Sequence, residues 1–280
     1  VTAAIAALMH WLVAPWDADF VRRAFGELVL LAVVGGTLGC WVVLFGLSYG
    51  AESLSHAMFP GLVAVTLTGG LLIVGGLAGV LVAAVAIAVF GRTPVIGRDT
   101  SIAIVVSTLF GVGVLMALSP NSPPGIDALL FGNILGISAA DLAVAAGLTV
   151  AIGGALILLH RQLLVVGFDR IHARALGGNP LVADTSLLIL LGMAVVVSAQ
   201  GVGTLLAPAV LIGPAATARL LTRRMAPMMG AAIAFGIGAG AAGLYLSFYA
   251  GSAAGASIAG TIVAAYVVVA LITRGSRSRP

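Results

Sequence analysis

Long apolar runs recur along almost the whole of this chain, and no other feature limits its fold as strongly. Each is close to the roughly 20 residues that a helix needs to cross a bilayer. Nine can be marked, at approximately 28–47, 53–68, 71–90, 101–118, 140–159, 184–200, 202–218, 228–247 and 256–273. Inside lipid every backbone polar group must find its partner within the structure, so such a chain folds as an all-α, polytopic bundle of transmembrane helices. Only 8% of its residues are charged, where soluble domains carry about 25%. No soluble unit of domain size fits between the runs. The expected organisation is an N-terminal interfacial segment over 1–27, holding Trp11 and Trp16, one transmembrane domain over 28–273, and a tail over 274–280. The opening VTAAIAALMH has no basic leader and does not read as a signal peptide.

The basic residues set the expected orientation. All 13 are arginine. Eleven fall after the third, fifth, seventh and ninth runs; only Arg22 and Arg23 lie on the other side. Positive charge stays in the cytoplasm, so the N-terminus is expected outside and the C-terminus inside. The same scatter argues against nucleic acid, because the arginines form no basic face. The single Cys40 excludes an intramolecular disulfide and a multi-cysteine metal site.

Two connections are longer than a turn requires. Residues 119–139 open with a proline-rich stretch and continue into Ala128–Ile137, apolar but too short to span, so a re-entrant or interfacial helix is expected. Ser138 and Asp141 then have capping-box spacing. Within 160–180, FDRIHARALGG reads as a short amphipathic helix ended by Gly177 and Gly178. Phe168, Ile171, Ala175 and Leu176 alternate there with Asp169, Arg170, His172 and Arg174. A solvated helix and a docking surface for a cytoplasmic partner both fit. Small-residue pairs Gly35/Gly39, Gly75/Gly79 and Gly236/Gly240 predict close helix contacts.

An ionisable side chain within a span is costly unless it meets water, a partner or an ion. Asp17, Asp19 and Glu27 fall in the N-terminal segment or its junction, and Asp99, Asp127, Asp141 and Asp184 at or near helix starts, where capping or dipole roles suffice. Glu52 differs, because it comes with His56 four residues later in YGAESLSHAMFPG. That spacing puts a carboxylate and an imidazole on one helix face, a donor pair suited to Zn²⁺ or Mn²⁺. Pro60 and Gly61 follow, and helix breakers of this kind free backbone groups near transporter sites. A Glu52–His56 hydrogen bond that fixes packing is the plainer alternative. His10, His160 and His172 read as interfacial polar groups. Gly46-Leu47-Ser48-Tyr49-Gly50 has the G-x-S-x-G pattern of serine hydrolases, which needs a strand-to-helix turn that this chain does not build. There is no H-E-x-x-H and no Walker motif for ATP.

The stretch ESLSHAMFPG resembles the D-[AST]-[LI]-[SA]-H-[AG]-x-x-P-G signature of zinc/manganese-type ABC importer permeases. LLFGNILGIS (129–138), FDRIHARALG (168–177) and VGTLLAPAVLIGPAATARLLTRR (202–224) agree with it in order and position. The resemblance implies a non-enzymatic transport subunit of the cell membrane. It implies a pair of permeases, two cytoplasmic ATPase subunits, and an extracellular or periplasmic metal-binding protein. Glu52 and His56 would form the transit site for Mn²⁺ or Zn²⁺ carried as substrate, with no resident cofactor. FDRIHARALGG would be the ATPase-coupling helix, with Phe168, Asp169, Arg170, Ala173, Arg174, Ala175, Leu176 and Gly177 at the contact. LLFGNILGIS is closer to manganese-type members, which favours that metal slightly. Two departures stand out: Glu52 where the family usually has Asp, and Phe45-Gly46 where many members carry a basic pair. A secondary carrier using Glu52/His56 as a proton relay is the alternative, followed by an intramembrane protease with Ser48 as nucleophile and a purely structural scaffold.

Overall fold

The computed structural model describes residues 13–90, 98–119, 128–175 and 178–277. The described residues form helices without strands: α1 Asp19–Phe45, α2 Ser48–Ala57, α3 Phe59–Thr68, α4 Leu72–Phe90, α5 Arg98–Ala117, α6 Ala139–Phe168, α7 Arg170–Ala175, α8 Pro180–Gly201, α9 Ala207–Leu221, α10 Met225–Ala250 and α11 Ala254–Arg277. By length and composition α1, α6, α8, α10 and α11 can each cross a membrane. Shorter apolar helical stretches lie at Leu72–Ala83, Ile102–Ala117 and Ala207–Leu221. The apolar run at 53–68 is the bent pair α2–α3.

Three boundaries differ from expectation. Helix α1 begins at Asp19, not at 28, because DFVRRAFGE already has helical amphipathicity: Val21, Ala24 and Glu27 are buried while Arg22 and Arg23 are exposed. Helix α6 continues to Phe168, since Leu163 and Val166 extend its buried face, and the connection to α8 shrinks to 169–179. The apolar piece Ala128–Ile137 is not one helix. It forms a turn at Ala128–Phe131 and a 3-10 turn at Ile134–Gly136, interrupted by Gly132 at φ 77°. This segment is instead tied to the α8–α9 turn by Thr204 and Leu205 N–H donating to the carbonyls of Leu129 and Leu130. The proline-rich stretch before it and Trp11 lie outside the described residues.

Helix α1 is the centre of the packing. Gly35 and Gly39 face α9, where a Cβ on Gly39 would lie 2.3 Å from the Leu211 carbonyl oxygen. Gly236 and Gly240 of α10 face Ala32 and Leu28, and Gly75 and Gly79 of α4 face Gly61 and Met58. All three predicted small-residue pairs are therefore interhelical contacts. The core around them holds Trp41, Met58, Phe59, Leu187 and Leu191. Ser138 and Asp141 form the predicted capping box of α6.

The helix ends sort by composition. Trp16, just before α1, donates from Nε1 to the Tyr245 hydroxyl near the end of α10, at 2.6 Å. At the opposite end, Phe45 lies beside Gly167 of α6, and Val43, Met225 and Met229 flank one buried cluster that includes Cys40 of α1 and Met228 of α10. Arg161, Arg170, Arg174 and Arg224 belong to this second end. An open cavity of about 440 Å³ lies toward the first, with Thr66, Asn133, Asp141 and Gln200 in its polar lining.

Candidate functional site

Helix α2 exists because α1 is stopped sharply. Gly46 takes φ 69°, a left-handed cap open to glycine, and the chain restarts at Ser48. Not quite three turns later the helix stops again at Met58. The cause is Pro60, which has no N–H to give the His56 carbonyl and fits the first turn of α3. The backbone bend therefore falls immediately after His56, with Gly61 allowing α3 to turn close against α4.

Glu52 and His56 share one side of α2, but their environments differ. Glu52 is exposed; His56 is half-buried, with its ring edge-on to Phe110 at 5.3 Å. His56 Nδ1 is buried and has no hydrogen-bond partner among the described residues. A buried imidazole nitrogen normally finds a partner, so the packing alternative loses its main support: no bond from Glu52 satisfies Nδ1. Among the described residues no three His, Cys, Asp or Glu side chains gather as a metal cluster. Among the described residues, Glu52 and His56 are the two candidate donors at this place.

The remaining candidates separate clearly. Ser48 is exposed at the start of α2, about 12 Å of helix rise from His56, too far for that imidazole to act as its base. His160 sits edge-on to Trp41 at 5.5 Å, His172 is exposed on α7, and His10 lies outside the described residues.

The predicted amphipathic helix is α7, shorter than expected. Phe168 ends α6, and Asp169 caps α7: its Oδ1 accepts from the backbone N–H of Ile171 at 2.8 Å and of His172 at 2.9 Å. Ala173 is buried against the bundle, while Phe168 and Ile171 are each 81% exposed, so the apolar face points away from its own protein. Arg174 and Ala175 are also exposed. Leu176 and Gly177 lie outside the described residues; beyond them Gly178 N–H donates to the Ala173 carbonyl at 2.7 Å.

The hydrogen bonds to His172 and Ile171 N–H hold the Asp169 carboxyl below the usual carboxylate range. A lowered value means that the cap contributes fully at neutral pH and is lost only as pH falls through that value. Asp169→Ala is therefore expected to loosen α7 at neutral pH, whereas Asp169→Asn, which still caps, should hold it. Faster amide exchange at Ile171 and His172 in the alanine variant alone checks this.

Two features escaped the sequence reading. Glu27 was assigned to the N-terminal junction, but it is 2% exposed within α1, and its Oε2 has no partner among the described residues. Recognising that Val21 and Ala24 continue the apolar face would have placed it inside. Asp184, expected to serve a helix start, instead accepts both terminal nitrogens of Arg170, at 2.9 and 3.0 Å. Nothing in spacing announces a pair 14 residues apart across a turn.

The ABC 3 transport family matches residues 17–274. The chain is 31% identical to "Probable iron transport system membrane protein" of Haemophilus influenzae, over 94% of this chain and 97% of that one. It is 32% identical to "Manganese transport system membrane protein MntC" of Halalkalibacterium halodurans, over 86% of this chain and 82% of that one. Its fold matches that of PsaBC from Streptococcus pneumoniae, solved in complex with Fab, with a TM-score of 0.87 at 29% identity, covering 94% and 95% of the two chains. With four motifs in order, a helical bundle throughout, and a match spanning nearly its whole length, the chain belongs to the ABC 3 transport family of membrane permeases.

Proposed function

We propose that this chain is the permease subunit of an ATP-driven importer for a divalent transition-metal ion, with manganese favoured over zinc. The observation that carries the reading is the half-buried His56, whose Nδ1 has no partner among the described residues, one turn from the Glu52 carboxylate and directly before the bend made by Pro60. Nitrogen plus carboxylate is a donor set for Mn²⁺ or Zn²⁺. A transit site must also release its ion, so two donors from one chain suit passage better than storage.

The remaining donors come from a second copy. Glu52 is exposed on this chain, as is Tyr49 one turn before it. A carboxylate on an outward face at membrane depth is costly until something polar covers it. A symmetric partner bringing its own Glu52 and His56 both covers and completes the site. Names of relatives support the metal: several refer to manganese, others to iron.

Two cytoplasmic ATPase subunits supply the energy, and an external metal-binding protein supplies the ion. The exposed Phe168 and Ile171 at the arginine-rich end support an ATPase docking there. That end is cytoplasmic and the Trp16 end external; the chain makes nine crossings of the cell membrane, with α2–α3 as the second. The bundle from α1 to α11 acts as one permease domain, with Trp16 at its outer interface. Transport proceeds by alternating access, the site opening outward and then inward.

Reconstitution tests this directly. The permease and its ATPase in liposomes, supplied with the external metal-binding protein, should take up Mn²⁺ only with ATP and only when both subunits are present. Uptake by the permease alone, driven by a proton gradient, would make it a secondary carrier.

A further inference from the structure

We propose that Arg170 is the positioning residue through which movement of α7 reaches the Glu52/His56 pair. The proposal rests on the reading of α7 as the ATPase-coupling helix. Three contacts make the case. The Arg170 guanidinium grips Asp184 of α8 with both terminal nitrogens. It also lies over the Phe45 ring, 5.5 Å from its centre. Phe45 is the last residue of α1, so this cation–π contact holds the corner from which α2 springs. On α8, Leu188 follows Asp184 by one turn and packs on Gly50 of α2, where a Cβ would lie 3.5 Å from Leu188 Cδ2.

Two short mechanical routes thus lead from Arg170 to α2. One runs through Phe45 and the Gly46 corner to Ser48, the other through Asp184 and Leu188 to Gly50. They meet two to four residues before Glu52. The Asp184 side chain is 26% exposed and that of Arg170 is 47% exposed. An ion pair so open to solvent contributes little to stability. Its two-pronged geometry, however, fixes direction as well as distance. Lysine would keep the charge and lose both the fork and the flat face that rests on Phe45.

Asp184→Asn is the decisive variant, because it leaves every residue of α7 in place for docking. In the reconstituted complete importer, ATP hydrolysis should continue at a rate within twofold of native, while Mn²⁺ transported per ATP falls at least tenfold. Arg170→Lys, which gives up both the fork on Asp184 and the flat face on Phe45, should lose at least as much coupling as Asp184→Asn. Exchanging the charges, Arg170→Asp with Asp184→Arg, should recover part of the lost coupling. Co-purification of the ATPase with each variant separates coupling from assembly. Native coupling in Asp184→Asn, or proportionate loss of hydrolysis and transport with the ATPase still bound, overturns the role of Arg170. An ATPase lost from Asp184→Asn overturns it too, since the pair would then serve docking. If the native complex itself shows no ATP-dependent uptake, the importer reading fails, and this proposal with it.

Discussion

His56→Ala and Glu52→Ala are each expected to bring manganese accumulation in metal-starved cells down to the level of cells lacking the gene. Loss of a residue that only orients a metal ligand costs about 10–100-fold in affinity or activity; loss of a ligand from a site with so few donors should exceed that. Glu52→Asp separates ligation from packing. It restores the residue that the family usually carries at this position, and should retain most uptake, while Glu52→Gln, of equal size but a poorer ligand, should not. His56→Gln keeps bulk against Phe110 and should still fail. Isotope uptake at equal membrane levels, run with manganese and zinc separately, reads all of these and names the cargo. Normal accumulation in both alanine variants would leave the pair a structural feature of α2.

The legibility of this site in the sequence followed the physics of each part. Glu52 and His56 could be found because their i, i+4 spacing is a local property of one helix and because charge in an apolar run is conspicuous. The capping box Ser138/Asp141 and the glycine contacts were readable for the same reason: each signal lies within a few residues. Glu27 was missed because the first helix begins with charged residues that look like a flanking segment, although Val21 and Ala24 already turn one face inward. The break of Ala128–Ile137 at Gly132 depends on partners at Leu205 and Thr204, more than 70 residues away, and no local pattern carries that. Arg170 and Asp184 lie on opposite sides of a chain reversal, so their meeting is a consequence of how α6 and α8 pack. Local chemistry left FDRIHARALG open between a solvated turn and a coupling element, and the preference for the second rests on the resemblance to metal-importer permeases.

Gly61, the final residue of the motif that carries Glu52 and His56, is expected to tolerate no side chain at all. A Cβ there would lie 2.2 Å from the carbonyl oxygen of Gly75, 2.8 Å from the amide nitrogen of Gly79 and 2.9 Å from its Cα. Every one of these is backbone, so no rotamer change relieves the clash; α3 and α4 must separate. Helices in a bilayer associate through such close contacts, lacking the hydrophobic drive of water. Gly61→Ala should therefore destabilise by about 3 kcal/mol, the upper end of the range for overpacking. For a chain of this size that lowers the melting temperature of the purified permease by roughly 6–12 °C. Gly147→Ala on α6 is the matched control, because nothing lies within 4 Å of its added carbon; removing a helix-interior glycine there should be neutral or stabilising by about 1 kcal/mol. Thermal unfolding followed by size-exclusion chromatography distinguishes the two. Should Gly61→Ala unfold like native protein yet transport poorly, the closeness of α3 and α4 would matter to the transport cycle, with the glycine conserving room for movement of the bend at Pro60. Should it lose stability as expected, Gly61 is the seat of α3 against α4, a packing role separate from the break at Pro60 and from the Glu52/His56 pair before it.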